Sequence, residues 1–246
     1  MKIIIYLTIG CICCLNTSSF GQLKFLKESL SETNLDPVDV DGASFSKEEA
    51  ANALKEALYK GIEKGVQMVN KEDGYFKNPL IKIPFPKEAK QISTGLAKVP
   101  GGKKKCDEVV LLINRSAELA SKEALNIFIG AIKKMEISDA FALVNGEKDA
   151  ATQYLENTTR RELLIRFKPI IERALKQTGT TKYWRNVMNS YNKIPFAKKI
   201  NPDLAEYATE EATYGLFKMI AQEEAAIRSN QDNRTTALLQ KVFANE

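Results

Sequence analysis

The chain has 246 residues, 44% of them hydrophobic and 27% charged, and its 36 basic and 31 acidic side chains give a formal charge of +5. That is ordinary globular composition, which excludes collagen-like, coiled-coil-only and intrinsically disordered classes. It contains no histidine, which excludes His-dependent nucleophilic triads, His–metal sites and the usual near-neutral general base.

Residues 1–21 read as a secretory signal. Lys2 supplies a positive start, and Ile3 through Leu15 form an apolar run too short to cross a bilayer core of ~30 Å. Small residues at Ser19 and Gly21 place cleavage before Gln22. Lipoprotein processing at Cys11 (or at Cys13 or Cys14) is the alternative, although Thr8 stands where leucine is wanted. Three of the four cysteines fall in this segment, leaving Cys106 alone and unable to form an internal disulfide. Lys103-Lys104-Lys105 before it would lower its pKa if the thiol is exposed, but without a histidine partner a structural thiol is expected. That lysine triplet reads as a solvated loop. Without a stripe of interleaved basic and aromatic residues, nucleic acid is not an expected partner.

Residues 22–45 read as a linker with a short amphipathic helix over Leu23–Leu30, and 46–246 as a single helical domain. Asp39, Asp41, Gly42 and Glu48 match positions three, five, six and twelve of an EF-hand loop. Position one would be Pro37, which has no carboxylate, so an acidic linker is expected instead. Ser46 and Glu49 form a capping box for a helix bearing Leu54, Leu58, Ile62, Val66 and Val69 on one face. Ala57, Gly61 and Gly65 make a small-residue stripe beside it, and a close neighbouring helix would offset the ~1 kcal/mol that each glycine costs. Asp73-Gly74 is expected to end this helix.

Leu80–Pro86 is the one strand-like piece, confined by Pro84 and Pro86 to an edge or an extended connector. A helix over Lys87–Lys98 stops at Pro100-Gly101-Gly102. Asp107 caps the next helix, whose run Val109–Ile113 leaves no solvent face and makes it central. Helices follow from Ser121, from Ser138, over Asp149–Asn157, from a second capping box at Thr159 and Glu162, through Trp184, from Asn201-Pro202 to about Ser229 (the longest), and over Leu238–Phe243. The fold class is therefore all-α, a compact multi-helix bundle with at most one short extended or edge-strand segment near Leu80–Pro86.

Polar residues on apolar faces are the informative exceptions. Asn114, Arg115 and Glu118 follow the central apolar run at helical spacing. Glu223 falls on the stripe of Leu216, Ile220 and Ile227, with Arg228 one step off it. Unpaired buried charge is too costly to persist, so Glu223 is expected to pair with a basic residue of another helix, Arg115 first. Asp139, Asp149 and Thr152 lie just after turns and are expected to join the network. Arg234, before Thr235-Thr236, is placed to clamp a neighbouring helix end.

Five stretches carry a resemblance. They are Ile81–Pro86, Asn114-Arg115-Ser116-Ala117-Glu118, Ala150-Ala151-Thr152-Gln153-Tyr154, Glu223-Glu224-Ala225-Ala226-Ile227-Arg228 and Arg234-Thr235-Thr236. In this order, from about Ser46 to Phe243, the chain resembles the bacterial domain-of-unknown-function family numbered four-one-nine-seven, with Ser116 where alanine and Phe85 where leucine is usual. The resemblance implies an exported, mostly helical protein and no particular activity.

The expected function is a non-enzymatic domain of the cell envelope, periplasmic or secreted, that binds another protein or an apolar ligand. No cofactor, metal or transmembrane helix is expected in the mature chain. The rival is a hydrolase-like enzyme with Glu118 or Glu223 as general acid/base and Arg115 orienting an anion.

Overall fold

Helix α1 (Lys47–Val69) starts where its side chains dictate. In the computed structural model, which describes residues 38–40, 43–234 and 236–243, the Ser46 hydroxyl accepts the Glu49 N–H and the Glu49 carboxylate accepts the Ser46 N–H. This reciprocal cap satisfies two open amides and is worth about 1 kcal/mol. Leu54, Leu58, Ile62, Val66 and Val69 are all buried. The signal segment, its cleavage site and the Leu23–Leu30 helix lie outside the described residues.

The segment read as an acidic linker contains a short ladder instead. Strands β1 (Val38–Val40) and β2 (Ala43–Phe45) pair antiparallel, with Asp39 opposite Ser44. The dipeptide between them, Asp41-Gly42, is the one that two-residue hairpins favour. Position one of the calcium loop considered above lies outside the described residues.

The helix α1 ends at Val69, earlier than Asp73-Gly74, and a series of turns follows. Asp73 adopts a left-handed backbone, φ 65°. A Cβ on Gly74 would sit 2.6 Å from the carbonyls of Met68 and Val69, so only glycine lets the chain fold back on the helix end. Leu80 and Ile81, expected to be extended, instead close a turn on Asn78, and residues 82–86 run on as an irregular connector without strand; Ile81 and Ile83 are buried while Lys82 and Pro84 are exposed.

A 3₁₀ turn (Lys87–Ala89) leads into α2 (Lys90–Leu96). Helix α3 (Gly102–Ala120) begins five residues before the expected Asp107 cap, behind Gly101 at φ 77°. Lys103–Lys105 are therefore helical. Lys103 pairs with Asp107 at 3.3 Å and Lys105 with Glu108 at 2.7 Å, the spacing that supports a helix. Helix α4 (Ala124–Lys134) follows a 3₁₀ turn at Ser121–Glu123, and α5 (Ile137–Val144) starts behind Glu136, not Ser138.

The two helices expected at 149–157 and from Thr159 are one, α6 (Ala150–Gln177), which is the longest. Thr159 is buried inside it and donates its hydroxyl to the Leu155 carbonyl at 2.6 Å, so the second capping box is a false start. Then come α7 (Thr180–Tyr191), α8 (Leu204–Ser229) and α9 (Ala237–Val242).

Helices α1, α3, α6 and α8 form the centre of an all-α bundle: α1 packs on α5, α8, α4 and α9, and α6 on α8, α3 and α4. Phe128, Phe167, Leu155, Leu163, Ile113 and Ile171 are among its fully buried side chains, each contributing about 1.5–3 kcal/mol on burial. The small-residue stripe of α1 does face a neighbour. Gly61 lies against Glu223 and Ile227 of α8, and Gly65 against Ile220. A Cβ on Gly65 would meet its nearest atom at 3.8 Å, an ordinary contact. Gly65→Ala is therefore expected to stabilise the domain by about 0.5–1 kcal/mol in urea unfolding. The close approach is elsewhere, at Gly215 of α8, where a Cβ would sit 2.9 Å from the Tyr75 ring.

Candidate functional site

Among the described residues four of the five buried charged side chains, Glu118, Glu224, Arg228 and Arg234, fall into two separate constellations. The first closes the turn after α1. Glu118, 4% exposed on α3, accepts the backbone N–H groups of Tyr75 (3.1 Å) and Phe76 (3.2 Å) on Oε1. Its Oε2 accepts Arg115 Nη1 at 2.8 Å. Arg115 Nη2 continues to Asp73 at 2.7 Å and Glu72 at 3.2 Å. The Glu118 hydrogen bond, then that of Asp73, raises the Arg115 pKa, while Lys77 and then Arg115 hold the Asp73 carboxyl below its ordinary value. The buried Tyr75 hydroxyl donates to the Ala212 carbonyl of α8 at 2.7 Å, and burial pushes its pKa up.

Asn114 fastens the connector. Its Oδ1 accepts the Ile83 N–H at 2.9 Å, and its Nδ2 donates to the Ile83 carbonyl at 2.8 Å and to the Val110 carbonyl at 2.7 Å. One amide side chain thus gives Ile83 the pair of bonds that a neighbouring strand would supply.

The second constellation joins α5 to α6. The Glu224 carboxylate of α8 accepts the N–H groups of Ala151 (3.1 Å) and Thr152 (2.8 Å) and the Thr152 hydroxyl (2.6 Å). It therefore caps α6, which starts with no side-chain cap of its own. Arg228, one turn on, donates to Glu224 at 3.1 and 3.2 Å and to the last carbonyls of α5, Leu143 at 2.8 Å and Val144 at 3.0 Å. A carboxylate at a helix start and a guanidinium at a helix end are the favourable signs for the helix dipole. Arg234 closes α8 in the same way, donating to the carbonyls of Ile227 (3.1 Å) and Arg228 (2.6 Å), the clamp expected of it.

Arg115 and Glu118 thus meet as the spacing predicts, and Thr152 and Arg228 share one network. The expected Glu223–Arg115 pair is corrected: Glu223 pairs with Lys64 of α1 at 2.7 Å, because α1 is the helix packed against this part of α8, while Arg115 is taken by Glu118 and Asp73. Asp139 and Asp149 are exposed and join neither constellation. Asp149 only accepts a hydrogen bond from Gln153 at its own helix start. Sequence reasoning missed Glu224, Asp73, Tyr75 and Lys64. Glu224 carried a readable signal: it lies four residues before Arg228 and between Ile220 and Ile227 on the buried face.

A small, partly open pocket between α1, α8 and α9, lined by Leu54, Leu58, Ile62, Ile227 and Phe243, holds about 20 Å³, enough for roughly one water. A shallow open depression of about 640 Å³ lies over residues 97–107, where Lys103 is already paired with Asp107. Among the described residues no three Cys, Asp or Glu side chains gather to hold a metal, and no helix is long and apolar enough to cross a membrane. Cys106 is half-buried; desolvation and then Asp107 raise its pKa, against the lowering expected from the lysines. Its alkylation at pH 7, read by peptide mass, is expected to be slower than that of a free cysteine.

The two constellations lie inside the span matched by one family model, described as a protein of unknown function (DUF4197), which covers residues 44–244. The chain belongs to the DUF4197 family. Comparison with curated proteins and with solved structures finds no match. In this DUF4197 member four of the five stretches that carried the resemblance hold Asn114, Glu118, Thr152, Glu224, Arg228 and Arg234, and the fifth is the connector that Asn114 fastens. The side chains of Asn114, Glu118, Glu224, Arg228 and Arg234 are bonded to backbone at a helix end, a turn or the connector, and the Thr152 hydroxyl is bonded to the Glu224 carboxylate.

Proposed function

We propose that this DUF4197 chain is an exported, non-enzymatic domain that acts through its outer surface. The observation that supports this most is how the interior polar groups are occupied. Glu118, Glu224, Arg228 and Arg234 spend their oxygens and N–H groups on backbone and on each other. A general acid or base needs a proton site facing a substrate, and the rival enzyme needs Arg115, Glu118 and Glu223 together. Arg115 and Glu118 serve the turn after α1, while Glu223 is engaged by Lys64. The pocket of about 20 Å³ between α1, α8 and α9 has no room for an apolar ligand, which favours contact with an envelope partner through the outer surface. Export rests on the character of residues 1–21.

Envelope fractionation with intact-mass measurement tests this reading. The expected result is protein in the envelope fraction beginning at Gln22, or carrying lipid on Cys11. Full-length protein retained in the cytoplasm would contradict it.

A further inference from the structure

Residues 173–202 contain no aspartate or glutamate. They carry Arg173, Lys176, Lys182, Arg185, Lys193, Lys198 and Lys199, and all seven are exposed. The acid-free stretch comprises the end of α6, all of α7 and the loop that follows it. At the tip of that loop stand Ile194, Pro195 and Phe196. Ile194 is 50% exposed and Phe196 108%, so the phenylalanine ring is wholly in solvent. The other strongly exposed large apolar side chains among the described residues, such as Val99, Leu119 and Ile165, stand singly.

The loop is held in this form. Asn192 closes it by donating Nδ2 to the Ile200 carbonyl at 2.8 Å and accepting the Ile200 N–H on Oδ1 at 2.9 Å. Lys199 donates to the Asn192 carbonyl. Phe196 sits at φ 61°, a left-handed backbone that a bulky residue rarely adopts. The loop therefore does not fold its aromatic ring back onto the bundle, where burial would be favourable. It presents an apolar wedge with Lys193, Lys198 and Lys199 around its base.

We propose that this loop docks the domain on an anionic lipid surface, with Ile194, Pro195 and Phe196 entering the interface and the lysines lying at headgroup level. The occupant follows from charge complementarity: an acid-free stretch with seven exposed cations fits a negatively charged surface, and a tip of three apolar side chains fits acyl chains. A nucleic acid would meet the same cations but would call for an aromatic platform on which bases stack, not a projecting Ile-Pro-Phe tip. This names the partner surface of the domain proposed above and rests on that reading for its compartment.

The test uses the protein purified from its own cells, in the form in which it accumulates there, and carrying Phe196→Trp, mixed with phosphatidylcholine vesicles with or without phosphatidylglycerol and with brominated acyl chains. The expected result is blue-shifted, bromine-quenched emission from position 196 only when the anionic lipid is present, with Trp184, 2% exposed, left unquenched. This readout is local, so an N-terminal lipid does not mimic it. Neutralising Lys193 or Lys198 to glutamine is expected to weaken vesicle binding about fivefold per residue, with unchanged thermal melting. Unquenched emission from position 196 while the protein sediments with vesicles would overturn the proposal. So would binding to an oligonucleotide that depends on the lysines while vesicles leave the fluorescence unchanged. Because the vesicles are supplied in vitro, failure here leaves the export result standing, and failure of export leaves the lipid result standing.

Discussion

Glu224→Ala is expected to destabilise the domain by about 3–5 kcal/mol, the cost of removing one partner from a buried ion pair. Three losses act together. Ala151 and Thr152 lose the acceptor for their N–H groups at the start of α6, a helix with no other side-chain cap. The Thr152 hydroxyl loses its 2.6 Å partner. Arg228, buried against Phe243, keeps its bonds to the α5 carbonyls but loses the neighbouring negative charge. For a domain of this size each kcal/mol moves the melting temperature by about 2–4 °C, so circular dichroism should show a fall of roughly 6–20 °C. Glu224→Gln retains an acceptor for α6 and should fall between the two. A drop below 2 °C for Glu224→Ala would mean that the α5–α6 joint is held by something else.

The second large effect is at Glu118. Glu118→Ala leaves the Tyr75 amide buried without a partner and Phe76 half-buried in the same state, at about 1–3 kcal/mol for each fully buried group. Arg115 is less affected, since its side chain is 30% exposed and still meets Asp73 and Glu72. A total of about 2–4 kcal/mol is expected. Glu118→Gln keeps an oxygen for the two amides but turns an NH₂ toward the guanidinium, donor against donor, and should lose about half as much. The pair of variants also separates function from structure. If Glu118 serves the turn, Glu118→Gln lowers the melting temperature; an enzyme using it as acid or base would instead lose turnover with melting unchanged.

Residues with one strong local reason behaved as the sequence implies. Ser46 and Glu49 form their reciprocal cap because Lys241 engages only the other Glu49 oxygen and leaves the capping one free for the Ser46 N–H. The run Val109–Ile113 is a partial exception: Val109 and Ile113 are buried, but Val110, Leu111 and Leu112 are only partly so, and α3 is central through its packing on α6 and α8. Thr159 and Glu162 have the same cap spacing, yet α6 runs through them, because Leu155, Leu163, Phe167 and Ile171 bury as one continuous stripe and the threonine hydroxyl finds the carbonyl four residues back. Tertiary burial overrode a local stop signal there. The reverse occurred at Val38–Phe45, where alternation on either side of Asp41-Gly42 was legible but was read as a linker.

For the polar network the sequence tells which positions violate the apolar pattern and therefore need partners, and it pairs Arg115 with Glu118 by spacing. It cannot tell which helix end lies opposite. That depends on how α5 and α6 meet over α8, a three-body geometry absent from any local window, and so Glu223 was matched to the wrong cation while Glu224 was overlooked. Asp73 was missed for a related reason: as a helix terminator it had a sufficient local explanation.

The most direct measurement of the central claim is native-state hydrogen exchange at five backbone amides: Tyr75, Phe76, Ile83, Ala151 and Thr152. If buried side chains hold these turns and helix ends closed, all five exchange only through global unfolding, although none is bonded within a regular helix or sheet ladder. Glu224→Ala should then release Ala151 and Thr152 alone. Exchange of these amides in the wild-type protein at the rate of exposed loops would contradict the account.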